Sequence, residues 1–176
     1  MNKAVFLDRD GVINKAIIRN GKPYAPLDIS ELVLLPGVYS ALKKLQNHDY
    51  LVIVVTNQPD VANGKISKDK VDVINNYLLK NLPINDIKVC FHNDDNKCFC
   101  RKPLPGMLID AAIQYDINLK NSFMIGDRWR DIHAGRDAGC LTYFIDYGYS
   151  EKQPEHTTYR VNSLEDAVQH ILENIT

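Results

Sequence analysis

Long apolar runs are missing from this chain. The longest, Leu51 to Val55, is far shorter than the roughly 20 residues a membrane-spanning helix needs. Charge of either sign is also scarce in net terms. Twenty-one Lys and Arg against 22 Asp and Glu leave −1, so no bulk attraction to nucleic acid or to an anionic membrane is expected. No stripe of aromatic and basic residues suggests a polynucleotide substrate either. Cysteines number four, and three of them crowd into Cys90, Cys98 and Cys100. A secreted, disulfide-stapled framework would spread them out. No apolar leader is evident, because Met1-Asn2-Lys3 runs straight into Ala4-Val5-Phe6-Leu7, and a cytoplasmic protein is expected.

What remains is the balance of an ordinary folded domain, 45% hydrophobic and 24% charged over 176 residues. We expect one domain over 1–176, and a monomer. Internal repeats and low-complexity stretches are absent.

Strand and helix patterns alternate. Lys3 to Leu7, Leu51 to Val55, Ile87 to His92, Ser122 to Ile125 and Leu141 to Ile145 read as strands. Their continuous apolar character suits strands buried on both faces of a parallel sheet. Helices are expected from Pro36-Gly37 to about Asn47, from Ser67 to about Asn81, from Pro105 to Tyr115, from Trp129 to Ala138 and from Ser163 to about Asn174. Ser67 and Ser163 are N-cap candidates, and Gly139 a C-terminal stop. Such alternation implies right-handed crossovers and an α/β fold with helices on both faces. Two irregular segments, Asn14 to Leu32 and Asn93 to Leu104, start near the C-terminal strand ends, where open α/β sheets bind ligands.

The chemistry gathers at those ends. Asp8-Arg9-Asp10-Gly11 follows the first strand, and two carboxylates so close call for a cation such as Mg²⁺. Taken alone, the run could equally be a solvated turn. Thr56-Asn57 follows the second strand, Arg101-Lys102-Pro103 follows the cysteine-rich loop, and Gly126-Asp127-x-x-x-Asp131 follows the fourth strand.

Four such motifs in this order, Asp8-x-Asp10, Thr56, Lys102 and Gly126-Asp127-x-x-x-Asp131, resemble those of the haloacid dehalogenase superfamily of phosphatases. The resemblance spans Val5 to about Tyr147. It implies a Rossmann-like parallel sheet and a defined set of roles. Asp8 would be the nucleophile and Asp10 the general acid and base. Mg²⁺ would sit on Asp8, the Asp10 backbone carbonyl and Asp127. Thr56 and Lys102 would hold the transferring phosphoryl oxygens, with Asp131 behind them. About 48 residues separate Asp8 from Thr56, and about 46 separate Thr56 from Lys102. Sheet and helix use most of both intervals, so a capless domain is expected, with substrate choice left to the two loops.

Cys90-x-His92 and Cys98-x-Cys100 offer three sulfurs and an imidazole, a closed tetrahedral set for a structural Zn²⁺. The loop leads directly into Arg101-Lys102. This combination resembles the branch of the superfamily that dephosphorylates heptose bisphosphates and histidinol phosphate. By that likeness Asn57, Gln58, Arg101 and Arg128 would contact a sugar phosphate substrate, with Arg19 and Lys22 as spare cations of the first loop. The chain departs from the branch after Gln58. It reads Pro59-Asp60-Val61-Ala62-Asn63-Gly64, with Asn63 at a usual arginine position and Asp60 as an added negative charge. A heptose 1,7-bisphosphate losing its 7-phosphate is the leading expectation. Histidinol phosphate, with Asp60 facing its amine, and a non-catalytic zinc-stabilised binding module stay open.

Overall fold

The computed structural model describes residues 1–174. The chain runs through β1 (Lys3–Leu7), a hairpin of β2 (Ile17–Arg19) and β3 (Lys22–Tyr24), α1 (Val38–Asn47) and β4 (Tyr50–Asn57). It continues through α2 (Lys68–Asn81), β5 (Asp86–Cys90), α3 (Gly106–Tyr115), β6 (Phe123–Gly126) and α4 (Trp129–Ala138). β7 (Leu141–Ile145), β8 (Tyr159–Val161) and α5 (Leu164–Glu173) complete it. Six strands form one parallel sheet in the order β5-β4-β1-β6-β7-β8.

Side-chain alternation decides which helix covers which face. Val5 and Leu7 of β1, with Val52 and Val54 of β4, enter one apolar cluster with Leu42 and Leu45 of α1, Ile74 and Leu78 of α2, and Val168 and Ile171 of α5. Ala4, Phe6, Ile53 and Val55 point the other way, onto Met107 and Leu108 of α3 and Ala134 of α4. Burying each large apolar side chain contributes roughly 1.5–3 kcal/mol. A one-residue slip would exchange the two faces, so the register is strongly held. The helix ends follow their expected signals. Ser67 Oγ accepts from the Lys70 N–H, Ser163 Oγ accepts from the Asp166 N–H, and α4 stops at Gly139 with φ 94°.

Two features depart from the sequence reading. The segment Asn14 to Leu32 is not wholly irregular, since it contains the β2–β3 hairpin. Its turn, Asn20-Gly21, has φ of 51° and 72°. Asn-Gly at two positive-φ positions is a strong hairpin signal, and it was there to be read. The sixth strand, β8, extends the sheet beyond β7 with only three residues. No described helix is long and apolar enough to cross a membrane.

Parallel pairing brings all strand C-termini to one edge. Leu7 stands opposite Val54 on one side and Ile125 on the other. The next residues out are therefore Asp8, Val55 and Gly126, with Thr56 and Asp127 one residue further, while Asn57 pairs with Cys90 at the start of the cysteine loop.

Candidate active site

Asp8 is buried at the tip of β1. Its Oδ1 accepts from the Arg9 N–H at 2.8 Å and from Lys102 Nζ at 2.9 Å. Lys102 is fully enclosed, an unusual place for a lysine. Its ammonium also donates to Asp131 Oδ1 at 2.5 Å and to the Val55 carbonyl at 2.7 Å, so all three of its protons are used. Burial alone would lower the lysine pKa, but the Asp131 and Asp8 carboxylates outweigh it and hold the pKa above the ordinary value.

Asp131 is placed by the first turn of α4. Its Oδ2 accepts from the Arg128 N–H at 3.0 Å, the side-chain half of a capping interaction. It thus links the first turn of α4 to the Lys102 ammonium. Asp127 lies beside it, and oxygens of Asp8, Asp127 and Asp131 fall within 4.8 Å of one another. Burial, then the Asp131 charge and also that of Asp10, raise Asp8 to about 6 against the opposing pull of Lys102. Asp127 is raised well above the usual carboxylate range, by burial and then by the Asp8 and Asp131 charges.

The donor set fits a divalent cation. Asp127 Oδ1 is buried without a hydrogen-bond partner, while Oδ2 accepts from the Tyr149 hydroxyl at 2.9 Å. Backbone closes in from the other side, where a Cβ on Gly11 would collide with the Asp127 carboxylate. Gly11 has φ 98°, so this position needs glycine both for its backbone angle and for room. A hard cation would use the orphaned oxygen and ease the repulsion that holds the carboxyl pKa values up.

Asp10 is held independently of Asp8. Its carboxylate takes hydrogen bonds from Asn14 Nδ2 at 3.0 Å, from Gln58 Nε2 at 2.9 Å and from the fully buried Arg9 guanidinium. Arg9 is fixed in turn by Asn75 of α2, whose Oδ1 accepts at 2.8 Å. Gln58 Nε2 also donates to the Thr56 hydroxyl at 2.9 Å. Asp8, Asp10, Asn57, Gln58, Arg101, Lys102, Arg128 and Asp131 all line one cavity of ≈ 290 Å³.

Three expected substrate contacts look different in place. Asn57 is engaged with the protein: its amide donates to the Lys102 carbonyl at 2.9 Å and accepts from the Lys102 N–H at 3.1 Å. Arg128 lines the cavity, but Glu151 takes its guanidinium through two nitrogens at 2.6–3.1 Å. Arg19 is absent from the cavity wall. Its guanidinium lies 5.7 Å from the Tyr24 ring centroid, and it is Lys22, across the hairpin, that lines the cavity. Arg130, Asp94 and Lys65 line it too and were missed. Arg130 carried only one signal, its place between the two aspartates of the acidic motif. Tyr149 carried none.

Beside the cavity, Cys90, His92, Cys98 and Cys100 bring their ligand atoms within 4.8 Å of one another. Sulfur separations from Cys90 are 3.2 Å to Cys100 and 3.9 Å to Cys98, with His92 Nδ1 at 3.3 Å from Cys100 Sγ. A tetrahedral zinc with bonds of about 2.3 Å to sulfur has sulfur–sulfur edges of about 3.8 Å; the Cys90–Cys98 separation matches that edge and the Cys90–Cys100 separation is shorter. Burial and the adjacent Cys100 push the Cys90 thiol up to about 12. A cation there must displace its proton.

A carboxylate pair, a hydroxyl, a buried lysine and an acidic turn at the C-terminal edge of a parallel sheet define a site built for phosphoryl transfer. Residues 99–173 match a family described as HAD-hydrolase-like. The D-glycero-beta-D-manno-heptose-1,7-bisphosphate 7-phosphatase of Bordetella bronchiseptica is 33% identical over 158 residues, 85% of this chain and 84% of its own. The D-glycero-alpha-D-manno-heptose-1,7-bisphosphate 7-phosphatase of Photorhabdus laumondii is 34% identical over 92% of both chains. The crystal structure of the D,D-heptose 1,7-bisphosphate phosphatase from B. bronchiseptica, complexed with magnesium and phosphate, superposes with a TM-score of 0.84. That match covers 97% of this chain and 98% of the other at 29% identity. The chain therefore belongs to the haloacid dehalogenase-like phosphatases, in the family of the heptose-1,7-bisphosphate 7-phosphatases.

Proposed function

We propose that this chain is a magnesium-dependent phosphomonoesterase that removes the 7-phosphate of D-glycero-D-manno-heptose 1,7-bisphosphate. The carrying observation is the pairing of a buried Asp8, locked against Lys102, with a separately held Asp10 on the same cavity. Asp8 attacks phosphorus and forms an aspartyl phosphate as the bond to the sugar oxygen breaks. Asp10 gives its proton to that oxygen, then takes one from the water that hydrolyses the acyl phosphate. Arg9, Asn14 and Gln58 keep Asp10 aimed through both steps. Thr56, and Lys102 once it gives up its bond to Asp8, would hold the transferring phosphoryl oxygens. Asp8, the Asp10 carbonyl and Asp127 would hold Mg²⁺, whose charge lets one anion approach another. One domain over 1–176, monomeric and cytoplasmic, completes the reading.

Histidinol phosphate is disfavoured by one contact. Asp60, the candidate for its amine, is paired with Lys65 at 3.3 Å. The test is phosphate release, with Mg²⁺, from the 1,7-bisphosphate in both anomers, matched monophosphates and histidinol phosphate. Strong preference for the bisphosphate is expected. Preference for histidinol phosphate would overturn the substrate assignment and leave the chemistry standing.

We further assign the cysteine–histidine cluster to a structural Zn²⁺ that stiffens the loop ahead of Arg101 and Lys102. Elemental analysis should find about one zinc per chain that survives dialysis against Mg²⁺. Cys98→Ser should lose that zinc, lower Tm, and reduce kcat/KM by roughly 10- to 100-fold, the usual range for disturbed metal surroundings. A zinc-free protein with full activity would remove this assignment.

A further inference from the structure

Asp8 and Asp131 each take one hydrogen bond from Lys102 and one from a backbone N–H. Asp127 is held differently. Among the described residues its carboxylate has a single donor, the Tyr149 hydroxyl, which reaches Oδ2 at 2.9 Å from 22 residues away. The other oxygen, Oδ1, is buried and bare. The last torsion of an aspartate is broad, so burial by itself does not aim the two oxygens. Here Oδ2 is confined on two sides. Tyr149 bonds to it, and backbone crowds it from Gly11, where a Cβ would collide with the same atom.

Tyr149 is itself well fastened. It sits on the segment 146–151, just after β7. Gly148, with φ 67°, turns the chain there, and its N–H donates to Asp146 Oδ1 at 2.9 Å. The Tyr147 and Tyr149 ring centroids are 5.6 Å apart. The Tyr147 hydroxyl donates to the Gly11 carbonyl at 3.0 Å, and the Ser150 N–H donates to the Gly21 carbonyl at 2.8 Å. Glu151 then takes the guanidinium of Arg128, the N-cap of α4. The segment is thus tied to the loop after β1, to the hairpin turn and to the start of α4, with Tyr149 between the ties.

Resting on the reading of Asp127 as a magnesium ligand, we propose that Tyr149 is a positioning residue for the metal, its hydroxyl fixing the rotation of the Asp127 carboxylate and reserving Oδ1 for the cation. A phenol suits this task. It donates one hydrogen bond and carries no charge at neutral pH. It therefore orients the carboxylate without neutralising it, and the negative charge is left for the ion. Partners behind a metal ligand commonly act in this way, by holding the ligand atom in its binding geometry. If Tyr149 served packing alone, a phenylalanine would do as well.

Magnesium affinity tests this without turnover. Calorimetric titration of Mg²⁺ into the metal-free chain should give a Kd about 10- to 100-fold higher for Tyr149→Phe than for the unsubstituted chain. The Tm of the metal-free forms should differ little, because the ring and its packing stay. Tyr147→Phe deletes a hydroxyl from the same segment and should bind Mg²⁺ as the unsubstituted chain does. In phosphate release, Tyr149→Phe should need about 10- to 100-fold more Mg²⁺ for half-maximal rate and recover its kcat at saturation. Unchanged affinity in Tyr149→Phe would overturn the proposal. So would an equal loss in Tyr147→Phe, which would make both hydroxyls general supports of the segment. Asp127→Asn separates the proposal from the reading beneath it. If that variant binds Mg²⁺ as tightly as the unsubstituted chain, Asp127 is no ligand and both fall. If it loses Mg²⁺ while Tyr149→Phe does not, the positioning role alone is rejected.

Discussion

Asp8→Asn should abolish turnover, with a loss of about 10⁴- to 10⁶-fold, the scale seen when one member of a concerted catalytic set is removed. Asparagine keeps the shape and can still accept from Lys102, but it has no charged oxygen to attack phosphorus. The same substitution should leave the fold intact or firmer. Asp8 is raised to about 6 by burial and by the nearby Asp131 and Asp10 charges. Neutralising it relieves that crowding, and strained catalytic groups commonly lower stability. The expected signature is therefore a dead enzyme with an unchanged or higher Tm. Phosphate release within tenfold of the unsubstituted enzyme would rule out a covalent route through Asp8.

Lys102→Met should show the opposite pattern, damaging fold and chemistry together. The ammonium is the common partner of Asp8 and Asp131. Removing it leaves buried carboxylates unpaired, which typically costs about 3–5 kcal/mol. The pH dependence has a definite sign. Without the lysine, whose charge now holds it down, Asp8 should titrate higher still in the folded state than in the unfolded chain. The folded form then binds more protons, so stability falls as pH rises through and above about 6. In magnesium-free buffer the variant should be closest to the parent near pH 5 and furthest from it near pH 8. Turnover should drop by about 10²- to 10³-fold or more, as for loss of one preorganised charge-stabilising donor. Denaturant melts across that pH range provide the check, and a flat difference would mean that Lys102 is not the charge partner it resembles.

The parts that were legible in the sequence share one property: each is a local pattern with a single physical solution. Val5 and Leu7 against Ala4 and Phe6 demand a sheet covered on both sides, and it is so covered. Ser67, Ser163 and Gly139 mark helix ends because capping is decided within a few residues. Asp8, Thr56 and Asp127 could be placed together because each ends a parallel strand. What escaped depends on partners far apart in the chain. Glu151 takes Arg128 from 23 residues away, and Asp94 takes Arg130 from 36. Nothing near either arginine announces whether its fork is free. Very short strands escaped as well. β8 is three residues long, too short for alternation to be recognised.

The reciprocal Asn57–Lys102 bonds, together with the Lys102 tie to the Val55 carbonyl, have a mechanical consequence. Both ends of the lysine are riveted to the last residues of β4, the backbone through Asn57 and the ammonium through Val55. The cysteine loop just ahead can therefore change length or composition between His92 and Cys98 without moving the cation that faces phosphorus. Reaction and recognition are insulated from each other.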